Sequence, residues 1–340
     1  MSAVRGVPWV IGHRGAPGAR PEHTESAYRL ALAMGVDAVE PDVVVSRDGV
    51  LLVRHENEIS TTTDVATRPE FAGRRTRKTV DGVELDGWFA EDFDWAELAT
   101  LRARERLPSL RPANTAFDGR EPILRLRDLL AIVDEESGRR QREFAVVIEL
   151  KHAEFLRSQG HDLVPLLLAE LAACGWADRP GRLVIECFEL SPLERLRAAG
   201  VRGRLIALLE SAGSPADELA RAGDDARTFD WYRSDPGLDA LGGRVDGISV
   251  DKADLLADAD PRTGLVARAH ARGLSVFTWT LRPERAFLDP AFRRGEAPAA
   301  WGDWRREWAT IVRSGVDGVF VDHPELFLTT VRGGEGAGVQ

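Results

Sequence analysis

Apolar runs and amphipathic stretches alternate along the whole chain, and this alternation predicts β-strands separated by α-helices. Strands that are joined through helices pair in parallel by right-handed crossovers, so the pattern indicates an α/β fold. Predicted helices lie at residues 24–34, 162–173, 192–199, 264–272 and 303–313. Predicted strands lie at residues 9–11, 38–45, 50–54, 144–150, 183–187, 205–209, 247–250, 274–280 and 318–321.

The number of predicted strands distinguishes two parallel architectures. About eight of them over this length favour a closed (β/α)8 TIM barrel over an open doubly wound sheet. No single apolar period establishes closure by itself. In a barrel of this kind, functional residues lie at the carboxyl ends of the strands.

Residues 57–122 break the alternation of strands and helices. The segment contains a basic run, several prolines and the aromatic residues Trp88, Phe89 and Phe93. It is too long for a simple barrel loop, so we predict an insertion subdomain after the second strand region that caps the functional rim. The three aromatic side chains could line the pocket, but we favour a small core of the insertion. The prediction is one domain over residues 1–332 and a disordered glycine-rich tail at 333–340.

Composition limits the classes of partner. The net charge of -10 argues against non-specific binding to nucleic acid or to anionic membranes. No apolar stretch reaches the roughly 18 residues of a membrane span, and no secretory signal precedes His13, so we expect a cytoplasmic protein without stable membrane association. The two cysteines, Cys174 and Cys187, lie in apolar stretches and are expected to be free thiols. The oligomeric state is left open.

An acidic pair lies in the second predicted strand. Glu40 and Asp42 are two residues apart, so their side chains project from one face. Two carboxylates in an apolar strand are costly to bury without a cation, and Mg²⁺ or Ca²⁺ prefers oxygen ligands. A solvated face, or neutralisation by arginine, is the alternative.

A second acidic strand strengthens the metal hypothesis. Residues 145–151 form an apolar run that ends with Glu149 and Lys151 on one face. Late positions of a barrel strand lie at the catalytic rim, so Glu149 can join Glu40 and Asp42. Lys151 then points to the same mouth as a phosphate-binding cation. An internal ion pair between Glu149 and Lys151 is the alternative, and we favour the metal site.

Two histidines also lie at the ends of predicted strands. His13 ends the first predicted strand, and His55 follows the strand after the turn at residues 46–49. Histidine moves protons near neutral pH, and cleavage of a phosphodiester needs a base and an acid. Beside His13, Arg14 has a planar guanidinium group that can bind two phosphate oxygens. The remaining histidines are expected to be structural or surface residues: His23, His152, His161, His270 and His323.

Together these motifs resemble the glycerophosphodiester phosphodiesterase family. The matching segments occur in the family's order and span nearly the whole chain. They are residues 11–16, 21–24, 39–43, 46–50, 53–56, 61–65, 148–151, 277–280 and 317–324.

The resemblance implies a barrel with an insertion, a divalent cation and a small glycerophosphodiester substrate. By resemblance, the family's metal ligands fall on Glu40, Asp42 and Glu149, its catalytic histidines on His13 and His55, and its phosphate contacts on Arg14 and Lys151. Trp279 matches an aromatic position near the pocket mouth. Glu22 also matches a motif position. Its role is left open among contact with the substrate, the start of a helix and orientation of an arginine.

The sequence departs from the family pattern at Glu56, where aspartate is common, and this change could alter how His55 is oriented. The Glu-Pro-Asp pattern at residues 40–42 and the long insertion are more similar to the periplasmic type of the family, but no signal sequence supports export. The expected reaction is hydrolysis to glycerol 3-phosphate and an alcohol, with His55 favoured as the acid. A lysophospholipase-D-type enzyme, or a barrel that binds phosphorylated ligands without cleaving them, are the alternatives.

Overall fold

The computed structural model describes residues 7–257, 260 and 262–332. Its α-helices are α1 (Glu25–Met34), α2 (Trp95–Leu98), α3 (Leu126–Arg140), α4 (Ala153–Ser158), α5 (Leu163–Ala173), α6 (Leu190–Ala198), α7 (Ala216–Ala222), α8 (Phe229–Arg233), α9 (Asp235–Leu241), α10 (Lys252–Ala257), α11 (Leu265–His270), α12 (Trp304–Arg313) and α13 (Pro324–Phe327). Its strands are β1 (Trp9–His13), β2 (Ala38–Glu40), β3 (Asp42–Val45), β4 (Leu51–Val53), β5 (Thr76–Val80), β6 (Val83–Gly87), β7 (Ala145–Leu150), β8 (Leu183–Cys187), β9 (Arg204–Leu209), β10 (Gly247–Asp251), β11 (Ser275–Leu281) and β12 (Gly318–Val321).

The large sheet closes into the predicted (β/α)8 barrel. Parallel pairing runs from β1 through β12, β11, β10, β9, β8 and β7, and β2 pairs with both β7 and β1 to complete the ring. The second barrel position is divided into β2 and β3 around Pro41, because proline has no backbone N–H for the ladder. The predicted TIM-barrel fold is therefore confirmed.

The strand predicted at residues 50–54 lies beside the barrel and is not one of the eight barrel strands. It forms β4, which pairs antiparallel with β3 through a tight turn. Val53 N donates to Leu124 O at 2.9 Å, so the segments that precede and follow the insertion are hydrogen-bonded to each other. The end of β4 places His55 beside the rim.

Apolar side chains fill the barrel in the way that the strand pattern predicts. Inward-facing residues of the strands form one buried cluster, and a larger cluster packs the outer faces of the strands against the helices. The inner cluster contains Ile11, Ala38, Ala145, Val147, Val184, Ile206, Phe277 and Phe320.

The chain between β4 and α3 has its own small core. It contains the antiparallel hairpin of β5 and β6, helix α2 and several 3₁₀ turns. Trp88 and Phe93 pack there with Val44 and Leu52 from the barrel side, and Phe89 is also fully buried. The core interpretation is thus confirmed for Trp88 and Phe93, whereas Phe89 is buried outside this cluster.

Helix α1 fixes the loop that follows β1. Thr24 caps its first turn, because the hydroxyl accepts from Ala27 N at 3.2 Å, and Gly35 ends it in a left-handed conformation. The preceding loop packs closely on the helix: a Cβ on Gly15, whose φ is +94°, would lie 2.7 Å from the Ala27 carbonyl carbon. Only glycine fits there without strain, and this fixes the path of Arg14.

Three other predictions concern the chain as a whole. Cys174 and Cys187 are both free thiols. None of the described helices has the length and apolar composition that a membrane crossing requires. The tail predicted to be disordered, residues 333–340, lies outside the described residues.

Candidate active site

One end of the barrel carries a pocket of about 290 Å³. The carboxyl ends of β1, β2, β7, β8 and β11 surround it, as expected for a TIM barrel. The pocket therefore gathers most of the residues that the sequence patterns single out. Its lining residues are His13, Arg14, Glu40, His55, Glu149, Lys151, Glu186, Phe188, Leu208, Glu210, Trp279, Thr280, Arg282 and Phe320.

Three carboxylates converge at the base of this pocket. One oxygen from each of Glu40, Asp42 and Glu149 lies within 4.8 Å of the others, and all three residues are buried. Asp42 and Glu149 are direct neighbours in the pairing of β3 with β7. Glu40 Oε1 and Asp42 Oδ1 are buried without a hydrogen-bond partner. These oxygens therefore lack the compensation that buried carboxylates require.

The protonation of the cluster reflects this crowding. Burial, together with the nearby Asp42 charge, raises the pKa of Glu40 well above its usual value. Burial also raises the pKa of Glu149 to about 8. The three groups cannot all ionise without added positive charge. A hard divalent cation supplies that charge and prefers carboxylate oxygens, so this donor set fits one.

The two ion-pair alternatives to a metal site, neutralisation by Lys151 and by Arg14, are also present in the structure. Lys151 Nζ donates to Glu149 Oε1 at 2.7 Å, and Arg14 Nε lies 3.3 Å from Asp42 Oδ2. The two cations neutralise part of the cluster, and Lys151 Nζ also lies 3.8 Å from Asp42 Oδ1, but Glu40 Oε1 and Asp42 Oδ1 still have no hydrogen-bond partner. The ion pairs and a cation site are therefore compatible.

His13 projects from the end of β1 into the pocket. Its Nδ1 lies 2.7 Å from Asp322 Oδ1, and because a carboxylate only accepts, this nitrogen carries the proton in the neutral ring. Nε2 is then the unprotonated nitrogen. Burial, followed by the charge of Arg14, lowers the pKa of His13 to about 4. The ring is neutral at neutral pH and able to accept a proton.

His55 reaches the pocket from the end of β4. Its Nδ1 lies 2.5 Å from Glu56 Oε1, and its Nε2 lies 3.2 Å from Lys151 Nζ. Burial, followed by the charges of Arg14 and Lys151, lowers the pKa of His55. Glutamate at position 56 therefore still reaches the ring, although aspartate is more common in the family that the sequence resembles.

Arg14 and Glu22 form a buried pair beside the pocket. Arg14 Nη1 donates to Glu22 Oε2 at 3.1 Å, and the Arg14 backbone N–H donates to Glu40 Oε2 at 2.7 Å. Glu22 does not line the pocket. This geometry favours orientation of the arginine, and substrate contact by Glu22 stays a prediction.

Trp279 lies on the opposite wall of the pocket. Its ring packs edge-on against Phe188 with the centroids 5.9 Å apart, and its indole nitrogen has no hydrogen-bond partner. The two rings give the pocket an apolar surface, and Lys151 Nζ lies 5.6 Å from the centroid of the Phe188 ring. A ligand hydroxyl or phosphate oxygen could accept from the indole N–H.

Sequence reasoning missed two residues that complete the site. His23, expected to be structural, is fully buried and its Nε2 donates to Asp42 Oδ2 at 2.9 Å, so it orients a candidate metal ligand. Glu186 lies opposite Glu149 in the pairing of β7 with β8 and lines the pocket with one unpartnered oxygen. The signal for Glu186 was present, since it ends an apolar strand as Glu149 does.

Three of the other histidines lie in ion pairs outside the carboxylate cluster. His152 Nδ1 lies 2.6 Å from Asp81, and His270 Nε2 lies 2.8 Å from Asp317. His323 lies between Glu284 and Glu325, at 3.5 and 3.4 Å. For these residues the structural interpretation holds.

His323 gives a prediction about stability. Burial opposes its protonation, but hydrogen bonds to the two carboxylates raise its pKa to about 9, above its unfolded value of about 6.5. The resulting stabilisation, about 1–3 kcal/mol, is complete below pH 6.5 and is lost as pH rises through 9. We therefore expect the stability difference between the wild-type protein and His323→Gln to shrink between pH 6 and pH 9.5 in urea unfolding. A difference that stays constant would contradict this assignment.

A second, larger groove between α4, α6 and α7 contains none of these residues. Four of its five arginines are paired with acidic neighbours, for example Arg195 with Asp162 and Arg244 with Glu194. We therefore place the candidate active site at the barrel mouth.

The chain is similar to known proteins of one family. The model of the glycerophosphoryl diester phosphodiesterase family matches residues 13–326. A glycerophosphodiester phosphodiesterase from Arabidopsis thaliana is 30% identical over 93% of this chain and 83% of its own length. One from Treponema pallidum is 26% identical over 76% of this chain and 74% of its own.

Solved structures show the same fold. An Oleispira antarctica phosphodiesterase, solved in complex with the product sn-glycerol-3-phosphate, is 19% identical with a TM-score of 0.61, covering 96% of this chain and 97% of its own. A glycerophosphodiester phosphodiesterase from Agrobacterium tumefaciens is 21% identical with a TM-score of 0.58, covering 94% and 99%.

Proposed function

Because the chain belongs to the glycerophosphoryl diester phosphodiesterase family, and is thus a phosphoric diester hydrolase, we propose that it hydrolyses glycerophosphodiesters to glycerol 3-phosphate and an alcohol by histidine acid and base catalysis. One observation carries the proposal. One pocket lies against the cluster of three buried carboxylates, and it is lined by three cationic side chains and by two histidines whose Nδ1 atoms are held by carboxylates.

The carboxylates of Glu40, Asp42 and Glu149 would hold one divalent cation, Mg²⁺ or Ca²⁺. A bound cation of this kind polarises a phosphoryl oxygen and neutralises charge that builds during displacement. Glu40 Oε1 and Asp42 Oδ1 support this assignment, because both are buried and without a hydrogen-bond partner. Their oxygen chemistry does not distinguish Mg²⁺ from Ca²⁺.

Arg14 and Lys151 would bind the phosphate group. Both side chains line the pocket and both are nearly buried, so a phosphate oxygen meets them with little screening by water. Lys151 keeps its charge, because the carboxylates of Glu149 and Asp42 outweigh the effect of burial and hold its pKa above the ordinary value. Together they counter the charge of the substrate in a protein whose net charge is -10.

His13 would act as the base. Its neutral ring presents Nε2 to the pocket, and Asp322 stabilises the positive charge that forms when Nε2 takes a proton from the attacking oxygen. His55 would act as the acid for the leaving alcohol. A bound diester anion beside His55 raises the pKa of the ring and favours the protonated form that this step needs. The attacking oxygen is that of water or of the neighbouring glycerol hydroxyl, which would give a cyclic phosphate first.

The proposal predicts release of glycerol 3-phosphate from several diesters. A coupled assay over glycerophosphocholine, glycerophosphoethanolamine and glycerophosphoglycerol, with Mg²⁺, Ca²⁺ or chelator, is expected to show turnover that the chelator abolishes. Absence of product from every diester with either metal would contradict it and favour a non-catalytic binding barrel. Faster release from lysolipids than from water-soluble diesters would favour a lysophospholipase-D-type enzyme.

A further inference from the structure

The segment at residues 101–112, within the insertion, turns back toward the barrel mouth and brings two arginines to it. Arg106 and Arg111 lie five positions apart in this loop, between α2 and a 3₁₀ turn at Pro112–Phe117. Neither arginine lines the pocket. Each of them nevertheless contacts a carboxylate that holds a histidine of the site.

Arg106 lies behind His55. Its Nη1 donates to Glu56 Oε1 at 2.8 Å, the same oxygen that lies 2.5 Å from His55 Nδ1. The guanidinium also spans Glu22, with Nε to Oε2 at 2.7 Å and Nη2 to Oε1 at 2.6 Å. Since Glu22 in turn accepts from Arg14, one side chain of the insertion connects the environments of His55 and Arg14.

Arg111 occupies the corresponding position behind His13. Its Nη2 donates to Asp322 Oδ2 at 2.6 Å, an oxygen that it shares with Arg282 Nε at 2.7 Å, and the other oxygen of Asp322 is the one that holds His13 Nδ1. Nε donates to Glu284 Oε1 at 2.8 Å and Nη1 to Pro17 O at 3.1 Å, so three contacts fix the guanidinium. Its side chain is only 5% exposed.

We infer that Arg106 and Arg111 are positioning residues, by which the insertion fixes the orientation and tautomer of both catalytic histidines. This inference rests on the proposed function. A carboxylate can hold an imidazole Nδ1–H only if its own torsions are fixed, and a forked guanidinium fixes them better than a flexible ammonium. With each Nδ1 protonated and held, Nε2 is the unprotonated nitrogen of each ring, and at His55 it lies 3.2 Å from Lys151 Nζ. A misplacement of about 1 Å in such a group can cost about 100-fold in rate.

The positioning hypothesis differs from a purely structural one, in which the arginines only anchor the insertion. If Arg111 acts through Asp322, Arg111→Ala should lower kcat about 10- to 100-fold with KM changed less than about threefold. Arg106→Ala should lower kcat and also raise KM, because Glu22 loses the partner that helps it to orient Arg14. Arg106→Lys should recover only part of the loss, since an ammonium cannot span Glu22 and Glu56.

The matched control is Arg104→Ala. Arg104 lies in the same loop, its side chain is 44% exposed, and its ion pair with Asp118 is long at 3.8 Å. We expect kcat and KM within about twofold of wild type. Thermal unfolding of all variants identifies any that fail to fold. For such a variant, the lysine or glutamine substitution at the same position replaces alanine.

A second readout does not depend on turnover. Imidazole ¹⁵N NMR of the protein labelled at histidine reports which ring nitrogen carries the proton, and His13→Gln and His55→Gln assign the signals. The wild-type protein should show Nδ1–H at both residues. Arg111→Ala should alter the His13 pattern alone, and Arg106→Ala the His55 pattern alone.

The two readouts separate the possible failures. A folded Arg111→Ala variant with wild-type kcat and an unchanged His13 pattern would overturn the inference, as would the corresponding result for Arg106 and His55. If the wild-type protein hydrolyses no diester, the proposed function fails, and the NMR patterns still decide whether the arginines position the rings.

Discussion

Alanine in place of His13 is expected to lower kcat for glycerophosphodiester hydrolysis by about 10²–10⁴-fold, with KM changed little. The size follows from the loss of proton transfer in the transition state. The neutral ring, with its pKa lowered to about 4, is in the correct form to accept a proton, and Asp322 holds the opposite nitrogen. Alanine removes the acceptor and leaves substrate contacts by Arg14 and Lys151 in place.

Steady-state kinetics on one diester, with wild type and variant purified in parallel, checks this expectation. His270→Ala is the matched control. His270 ends α11, just before β11, and pairs with Asp317 at the amino end of β12, so it lies at the opposite end of the barrel from the pocket. This control should keep kcat within about twofold. Full activity of His13→Ala would remove His13 from the catalytic machinery.

Glutamine in place of Glu40 is the second change with a large expected effect. It should weaken divalent-cation binding at least about 10- to 100-fold and lower kcat/KM by about 100-fold or more. The isosteric amide keeps an oxygen but removes the negative charge that the cation needs. Glu40 Oε2 accepts from the Arg14 backbone N–H at 2.7 Å, whereas Oε1 has no hydrogen-bond partner and is the oxygen left for a cation.

The same substitution should affect stability in the opposite direction. Without metal, Glu40 is a buried carboxyl group whose pKa is raised by burial and by its neighbour Asp42. The neutral amide relieves that repulsion, so metal-free Glu40→Gln should be at least as stable as metal-free wild type. Added Mg²⁺ or Ca²⁺ should then raise the Tm of wild type only.

Calorimetric titration with each metal and thermal unfolding with and without chelator measure both effects. Glu84→Gln is the control, because Glu84 lies on the β5–β6 hairpin with its side chain 67% exposed. An equal rise of Tm with metal in wild type and Glu40→Gln would exclude Glu40 as a ligand.

The features that could be predicted from the sequence depend on residues that are close together along the chain. Residues two apart in a strand share a face, so strand periodicity alone pairs Glu40 with Asp42 and Glu149 with Lys151. The prediction of one strand over residues 38–45 missed the break at Pro41, yet both acidic side chains reach the same cluster.

The features that were not predictable depend on distant pairings. Arg106 meets Glu22 across 84 positions, and Arg111 meets Asp322 across 211. Which carboxylate a loop arginine contacts depends on how a long irregular segment folds back, and neither strand periodicity nor spacing carries that information. The family-like motifs contain Asp322 and His23, but only the geometry of these residues shows that they orient His13 and Asp42.

We propose that the residues at the barrel mouth hydrolyse glycerophosphodiesters with His13 and His55 as proton carriers. Following glycerophosphocholine by ³¹P NMR, with wild type, His13→Ala and His55→Ala at equal concentration and saturating metal, tests it most directly. We expect the wild-type protein to convert the diester signal into that of glycerol 3-phosphate, while both variants leave it unchanged over the same period. Conversion by either variant at the wild-type rate would contradict the two-histidine mechanism.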